Sequence, residues 1–135
     1  MKSLIIICGI ISALLTLFHI AFWWILDWPA GLAYMTAEHR MLMQTFNFCM
    51  IPIFIFFTYS LFALREEILT TRIGRALLWA NAGLYLFRSA AELIFGNIRT
   101  SESQFFFILC LVIGVLFIVP TLKKKIKDED GRMKN

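Results

Sequence analysis

The sequence predicts an all-α fold, an integral membrane four-helix bundle with both termini cytoplasmic. Of the 135 residues, 60% are apolar, whereas soluble domains contain roughly 45 to 50%. A domain of this size has too little interior to bury the excess, which must therefore face lipid. The mean hydropathy of +0.77 excludes a disordered chain, and the absence of in-and-out alternation excludes outer-membrane strands.

Four apolar runs predict the number of membrane spans. They cover residues 4–26, 41–64, 76–96 and 105–122, and only the third contains charged residues, Arg88 and Glu92. About 20 apolar residues in a helix cross a hydrocarbon core about 30 Å thick. Residues 1–122 are therefore expected to form one transmembrane domain with four spans, followed by a tail of mixed charge over residues 123–135.

Local signals predict where the spans begin and end. The segment Asp27-Trp28-Pro29 ends the first span, because proline disfavours helical geometry in the residue before it. Thr70 or Thr71 is expected to cap the third span, and residues 101–104, Ser-Glu-Ser-Gln, match a capping box before the fourth. The fourth span is expected to end at Pro120.

The first span and the loop after it exclude two simpler interpretations. The apolar run at residues 4–26 is longer than the 7 to 15 residues or so of a signal-peptide core, so we interpret it as a span. The aromatic residues at the end of this span and in the loop after it are expected to form an outer interfacial belt rather than a stacking platform. The belt comprises Trp23, Trp24, Trp28 and Tyr34.

Lysine and arginine are unevenly distributed across this predicted topology. With the N-terminus inside, ten of the 13 lie in cytoplasmic segments, and the outer loops hold only Arg40 and Arg99. Because cytoplasmic segments retain positive residues, the sequence predicts a multi-pass protein of the plasma or inner cell membrane with both termini cytoplasmic. Most of the net charge of +4 comes from the tail, which is expected to meet anionic headgroups rather than nucleic acid.

Polar side chains follow one face of each of the first three spans, at intervals of three or four residues that place them on one side of a helix. Lipid-facing surfaces have no use for polar groups, so these faces are expected to meet inside the bundle. The helical rise places four of these side chains about 6 to 12 Å below the outer ends of their spans, which predicts a polar pocket open to the outside. The four are His19, Asn47, Arg88 and Glu92. The fourth span is apolar around most of its circumference and is expected to close the bundle. The candidate pocket residues are His19, Gln44, Asn47, Tyr85, Arg88 and Glu92.

Two interpretations of Arg88 and Glu92 follow from their spacing of four residues, which lets the side chains meet on one helix. In the first, they are a structural ion pair that lowers the cost of burying charge in the membrane. In the second, Arg88 anchors an anionic group, because guanidinium presents a rigid fork of donors, and Glu92 orients it or takes protons.

His19 is the candidate for proton transfer or ligation, because imidazole serves both roles. The other histidine, His39, is expected about 10 Å or more away in level, so a haem held by two histidines is not expected. No cofactor is predicted. A haem or metal ion at His19 is an alternative, and no spacing diagnostic of a metal site accompanies it.

The sequence favours a small multi-pass membrane protein whose outer pocket binds a small or lipid-like ligand, or which acts as an accessory subunit. One alternative is a membrane-embedded enzyme with His19 and Glu92 as acid and base, and another is a small transporter acting as a dimer. No nucleotide loop, nucleophile elbow or metalloprotease motif is present, and no catalytic residue is assigned. The expected partners are the lipid bilayer, a second copy or another membrane protein, and an anionic small molecule or lipid.

Overall fold

A computed structural model describes residues 2–96 and 99–132, except the side chains of Pro29 and of residues 123–132. Every regular element within these ranges is an α-helix, which confirms the predicted all-α class. The charged side chains of the tail, predicted to meet headgroups, lie outside the described residues. The elements are α1 (Lys2–Ile25), α2 (Trp28–Gly31), α3 (Ala37–Ala63), α4 (Arg65–Thr70), α5 (Arg72–Phe95) and α6 (Ser101–Arg132).

Three helices in the described part of the chain are long and apolar enough to cross a membrane. They are α1, α3 and the portion Ser101–Leu122 of α6. Large apolar side chains cover their outer surfaces, including Leu17 at 62% exposure and Phe48 at 75%. These surfaces suit contact with lipid and are typical of a small membrane protein. Helix α5 matches the third predicted span in position, but it is less apolar than the other three.

Helix boundaries depart from the sequence prediction at three places. Helix α3 begins at Ala37, before the predicted start, because the Thr36 hydroxyl accepts a bond from the His39 amide at 3.4 Å. The segment after α3, for which no helix was predicted, contains α4. The predicted end at Pro120 is wrong, since α6 continues through that residue to Arg132. A proline removes only one helical hydrogen bond, and transmembrane helices tolerate that loss.

The two predicted caps have different outcomes. Thr71 caps α5 as expected, with its hydroxyl accepting a bond from the Gly74 amide at 2.9 Å. The predicted capping box at residues 101–104 is wrong, because Thr100, one residue earlier, accepts the bond from the Ser103 amide at 3.4 Å. Ser103 therefore lies within the first turn of α6, where its side chain is available for another contact.

Replacing Thr71 with alanine is expected to lower the free energy of unfolding by about 1 kcal/mol, the usual effect of losing an N-cap hydroxyl. Thr71→Ser keeps the hydroxyl and should retain most of the stability. The measurement is reversible unfolding of purified protein in mixed micelles, followed by circular dichroism. Equal losses in both variants would show that the hydroxyl does not stabilise the start of α5.

The chain divides into two compact units, which we call the first unit (Ile5–Ala63) and the second unit (Met1–Leu4 with Leu64–Asn135). In the first unit, α1 and α3 pack antiparallel. A Cβ placed on Gly9 would lie 3.0 Å from the Phe62 ring, which indicates close packing. A small polar cluster lies between the same helices, where the Thr58 hydroxyl donates to the Ser12 hydroxyl at 3.1 Å.

In the second unit, α5 and α6 form an antiparallel hairpin. The rings of Tyr85 and Phe117 stack at 5.7 Å between centroids, and Phe117 is completely buried. A Cβ on Gly114 would lie 2.8 Å from the side chain of Leu86, so a small residue is required where the two helices meet.

Candidate functional site

The six predicted pocket residues divide between the two units. His19, Gln44 and Asn47 belong to the first unit, and Tyr85, Arg88 and Glu92 belong to the second. Each unit holds its own polar group, with distinct partners and distinct surroundings. That all six line a single pocket stays a prediction.

Asn47 links α3 to α1 in the first unit. Its Nδ2 donates to the backbone carbonyl of His19 at 3.0 Å. Its Oδ1 is buried and has no hydrogen-bond partner within the described ranges. A buried acceptor without a donor costs about 1 to 3 kcal/mol, so this carboxamide combines a structural bond with unused bonding capacity.

The His19 imidazole is held in one tautomer. Its Nδ1 lies 2.9 Å from the carbonyl oxygen of Leu15, and because a carbonyl can only accept, Nδ1 carries the proton. The ring lies 4.8 Å from the Phe22 ring and 4.5 Å from the Phe54 ring, between centroids. Nε2 is thus the nitrogen with a lone pair when the ring is neutral.

No three His, Cys, Asp or Glu side chains within the described part of the chain are grouped closely enough to share a metal ion. His39, which stands at the start of α3, instead lies 3.1 Å from the Thr36 hydroxyl through its Nδ1. A metal or haem at His19 stays an untested alternative, and the neighbours named above do not form a ligand set.

A cleft of about 400 Å³ opens on the first unit beside Asn47, and we call it the tryptophan cleft. Gln44 and Asn47, three residues apart on α3, form part of its wall. The described residues that line it are either apolar or polar without a charge. The lining includes Trp23, Trp28, Gln44, Asn47, Phe48 and Ile51.

Trp28 does not belong to the predicted interfacial belt, because its side chain is buried. It is 5% exposed, in contrast to Trp24 at 73% and Tyr34 at 98%. Its ring packs edge-on against Phe22 and Trp23. The chain folds back here because Asp27 adopts a left-handed conformation, with φ of 43°, which aspartate tolerates better than most residues. The sequence signal for this fold-back was the Asp27-Trp28-Pro29 break.

The second unit contains an ion pair with a third member. Arg88 and Glu92 are joined by a contact of 2.5 Å between Nη1 and Oε1. The other oxygen of Glu92, Oε2, accepts a bond from the Ser103 hydroxyl at 2.7 Å. Gly96 leaves the room for this arrangement, since a Cβ there would lie 2.5 Å from Oε2 and 2.7 Å from the Ser103 hydroxyl oxygen. Both carboxylate oxygens of Glu92 are therefore engaged.

Exposure differs sharply between the partners of this pair. The side chain of Glu92 is 11% exposed and that of Arg88 is 50% exposed. The guanidinium carbon lies 6.0 Å from the centroid of the Phe106 ring, within the outer range of a cation–π contact. Arg88 thus presents one side to Glu92 and Phe106 and leaves the rest of its donors accessible.

The expectation that helices one to three build the polar site is incomplete. Helix α6 supplies Ser103 to Glu92, and the Ser89 hydroxyl donates to the α6 carbonyl of Phe107 at 3.0 Å. Tyr85 and Asn81 are buried on the same helix as Ser89. The signal for Ser103 was its place in the polar run at residues 101–104, which the capping-box interpretation had already assigned to another role.

A second ion pair lies away from this site, between Lys2 and Glu66 at 2.7 Å. The hydrogen bond and positive charge of Lys2 hold the pKa of the Glu66 carboxyl below its usual value. Any stabilisation is present above the ordinary carboxyl pKa and is lost as the pH falls through the lowered one. Both side chains are more than half exposed, so water screens the pair and its effect is small.

Helices α1, α3 and α6 carry the features of a small helical membrane protein. Comparison of the chain with known protein families, curated proteins and solved structures finds no match. The candidate functional residues are therefore those that the chain's own geometry distinguishes. They are the carboxamides of the tryptophan cleft and the group formed by Arg88, Glu92 and Ser103.

Proposed function

We propose that the chain crosses the plasma or inner membrane four times, with α5 as the third span and both termini in the cytoplasm. The 24 residues of α5 extend about 36 Å at 1.5 Å per residue, enough to cross the hydrocarbon core. The pairing of Arg88 with Glu92 supports this assignment, because a neutral pair costs less in lipid than two separate charges. In this topology the tryptophan cleft opens toward the outer side.

Within this topology the protein acts as a binding or accessory subunit that holds a small or lipid-like amphiphile in the tryptophan cleft. One observation carries the proposal: Gln44 and Asn47 line an uncharged cleft walled by two indoles, and Asn47 Oδ1 has no donor. Ligand sites are typically apolar concavities with a few polar groups that fix orientation. Tryptophan suits such a site at a membrane interface, since it has an apolar body and one polar N–H.

The group formed by Arg88, Glu92 and Ser103 is proposed to be structural, joining α5 to α6. Its geometry supports this role over acid–base chemistry, because both oxygens of Glu92 already accept hydrogen bonds or ion-pair contacts. A general base needs an oxygen within reach of a substrate proton. The accessible part of Arg88 is where an anionic lipid or small molecule would bind if the pair had a second role.

The binding function is tested by identifying amphiphiles that co-purify with the full chain in a mild non-ionic detergent. Thr45→Phe places a ring in the cleft and is expected to reduce the enriched species several-fold, as measured by mass spectrometry of solvent extracts. Met43→Phe is the matched control, since Met43 is exposed on the same helix and does not line the cleft. An extract that matches bulk membrane lipid for the unmodified protein, or equal retention by both variants, would contradict the proposal.

A further inference from the structure

We infer that the tryptophan cleft selects a neutral amphiphile whose head group bears a hydroxyl, in preference to a charged lipid. The inference rests on the proposed binding function and specifies its ligand class. It follows from three features of the cleft: its lack of charge, its unused hydrogen-bonding groups and its apolar walls.

The charge of the lining excludes an ionic anchor. No Asp, Glu, Lys or Arg is present among the described residues that line the cleft. Removing a charged head group from water into an apolar site is expensive without an opposite charge. A phosphate or ammonium head would therefore have to give up hydration without compensation, whereas a hydroxyl gives up far less.

The accessible polar group of the lining is a carboxamide, which both donates and accepts hydrogen bonds. Gln44 is half-buried in the wall, and within the described part of the chain neither a hydrogen bond nor an ion pair holds its carboxamide. Asn47 lies one turn further along α3, with Nδ2 bound to His19 and Oδ1 lacking a donor. Because that oxygen is closed off from solvent, Gln44 is the carboxamide that meets a head group first.

Pro52 adds an acceptor on the same helix. It lies inside α3, and having no N–H it cannot donate to the carbonyl of Phe48, four residues earlier. Phe48 itself lines the cleft. An alcohol both donates and accepts, so it can pair with the Gln44 carboxamide in both directions, whereas an ether can only accept from it.

The remaining walls suit an alkyl chain or ring system. Ile20, Phe48 and Ile51 provide apolar surface, and the indoles of Trp23 and Trp28 add aromatic surface. A ligand with one neutral polar end and one apolar body satisfies both parts of the lining. A soluble polar molecule would leave the apolar walls without contacts.

The test is a titration of the full-length protein in phosphatidylcholine nanodiscs, read by tryptophan fluorescence. Three probes share the same acyl chains: dioleoylglycerol, its O-methyl ether, which lacks the hydroxyl donor, and dioleoyl phosphatidate, which is anionic. Dioleoylglycerol is expected to bind about tenfold more tightly than the ether, the effect of one satisfied buried hydrogen bond. It should also bind more tightly than phosphatidate.

Two variants test which groups of the cleft cause the preference for the hydroxylated probe. Gln44→Leu removes the accessible carboxamide without breaking a structural bond, and it should make dioleoylglycerol and its ether bind equally. Pro52→Ala introduces a backbone N–H that can donate to the Phe48 carbonyl. It should reduce the difference in affinity between dioleoylglycerol and its ether while leaving the helix intact. Met43→Leu is the control, since Met43 is exposed on the same helix and does not line the cleft, and it should keep the full preference.

The possible results distinguish hydroxyl selectivity from the proposed binding of amphiphiles. Saturable binding with equal affinity for all three probes, or preference for phosphatidate, overturns the hydroxyl selectivity and leaves amphiphile binding in place. Failure of every probe to change the fluorescence contradicts both. Selectivity that survives Gln44→Leu and Pro52→Ala overturns the assignment of the acceptors.

Discussion

Arg88→Ala is expected to lower the free energy of unfolding by about 2 to 3 kcal/mol. The substitution leaves the nearly buried Glu92 carboxylate with Ser103 as its hydrogen-bond donor and without a counter-charge. Losing one partner of a buried pair costs about 3 to 5 kcal/mol, and the half-exposed position of Arg88 reduces that cost. The loss should appear in unfolding of the purified protein by sodium dodecyl sulfate in mixed micelles, followed by circular dichroism.

The double variant Arg88→Leu with Glu92→Leu distinguishes a structural pair from a functional one. Replacing both charges with apolar groups removes the isolated carboxylate, and such replacements are often neutral or stabilising. We expect the double variant to recover most of the stability lost in Arg88→Ala. Arg72→Ala is the control on the same helix, where an exposed position should change stability by less than about 0.5 kcal/mol. Arg88→Ala with unchanged stability would show that the pair does not hold α5 to α6.

Gly74→Ala is expected to have an effect of similar size for a different reason. A Cβ at Gly74 would overlap the backbone of Ile68, with the Glu67 and Ile68 carbonyl oxygens also in contact. Backbone atoms cannot move aside as the end of a flexible side chain can, so α4 would have to shift from α5. Overpacking typically costs about 1 to 3 kcal/mol, and we expect the upper part of that range in the same unfolding measurement.

Gly83→Ala is the matched control for this substitution. It lies on the same helix, and a Cβ there meets no atom within 4 Å. Alanine is also the better helix former by about 1 kcal/mol in water, so Gly83→Ala should not lose stability. A loss at Gly83 equal to that at Gly74 would show that helix propensity or lipid contact, rather than the corner between α4 and α5, determines the result.

The helical class was predictable from the sequence because long apolar runs leave few alternatives in lipid. The positions of α1, α3 and α5 follow from the limits of those runs and from local signals such as Thr71. Local sequence signals for the ends of helices were less reliable. Pro120 does not end its helix, and Thr100 takes the capping role expected one residue later, because the favoured geometry depends on how the whole segment packs.

Contacts between side chains on one helix were predictable from the sequence, and contacts between separate segments were not. Helical spacing correctly placed Arg88 within reach of Glu92, since both lie on one helix. Ser103 and Trp28 were missed as members of their groups because their roles depend on where separate segments meet. Helical spacing within one span carries no information about such meetings.

The proposal that the chain crosses the membrane four times is tested most directly by finding the side of the membrane on which the C-terminus lies. If α5 crosses, a fluorescent protein fused after Asn135 should fluoresce in the cytoplasm, and alkaline phosphatase fused at the same point should be inactive. A phosphatase fusion after Thr36, in the loop expected outside, should be active and serves as the control. An active phosphatase after Asn135 would place the C-terminus outside, as expected if only α1, α3 and α6 cross, and would contradict the four-span account.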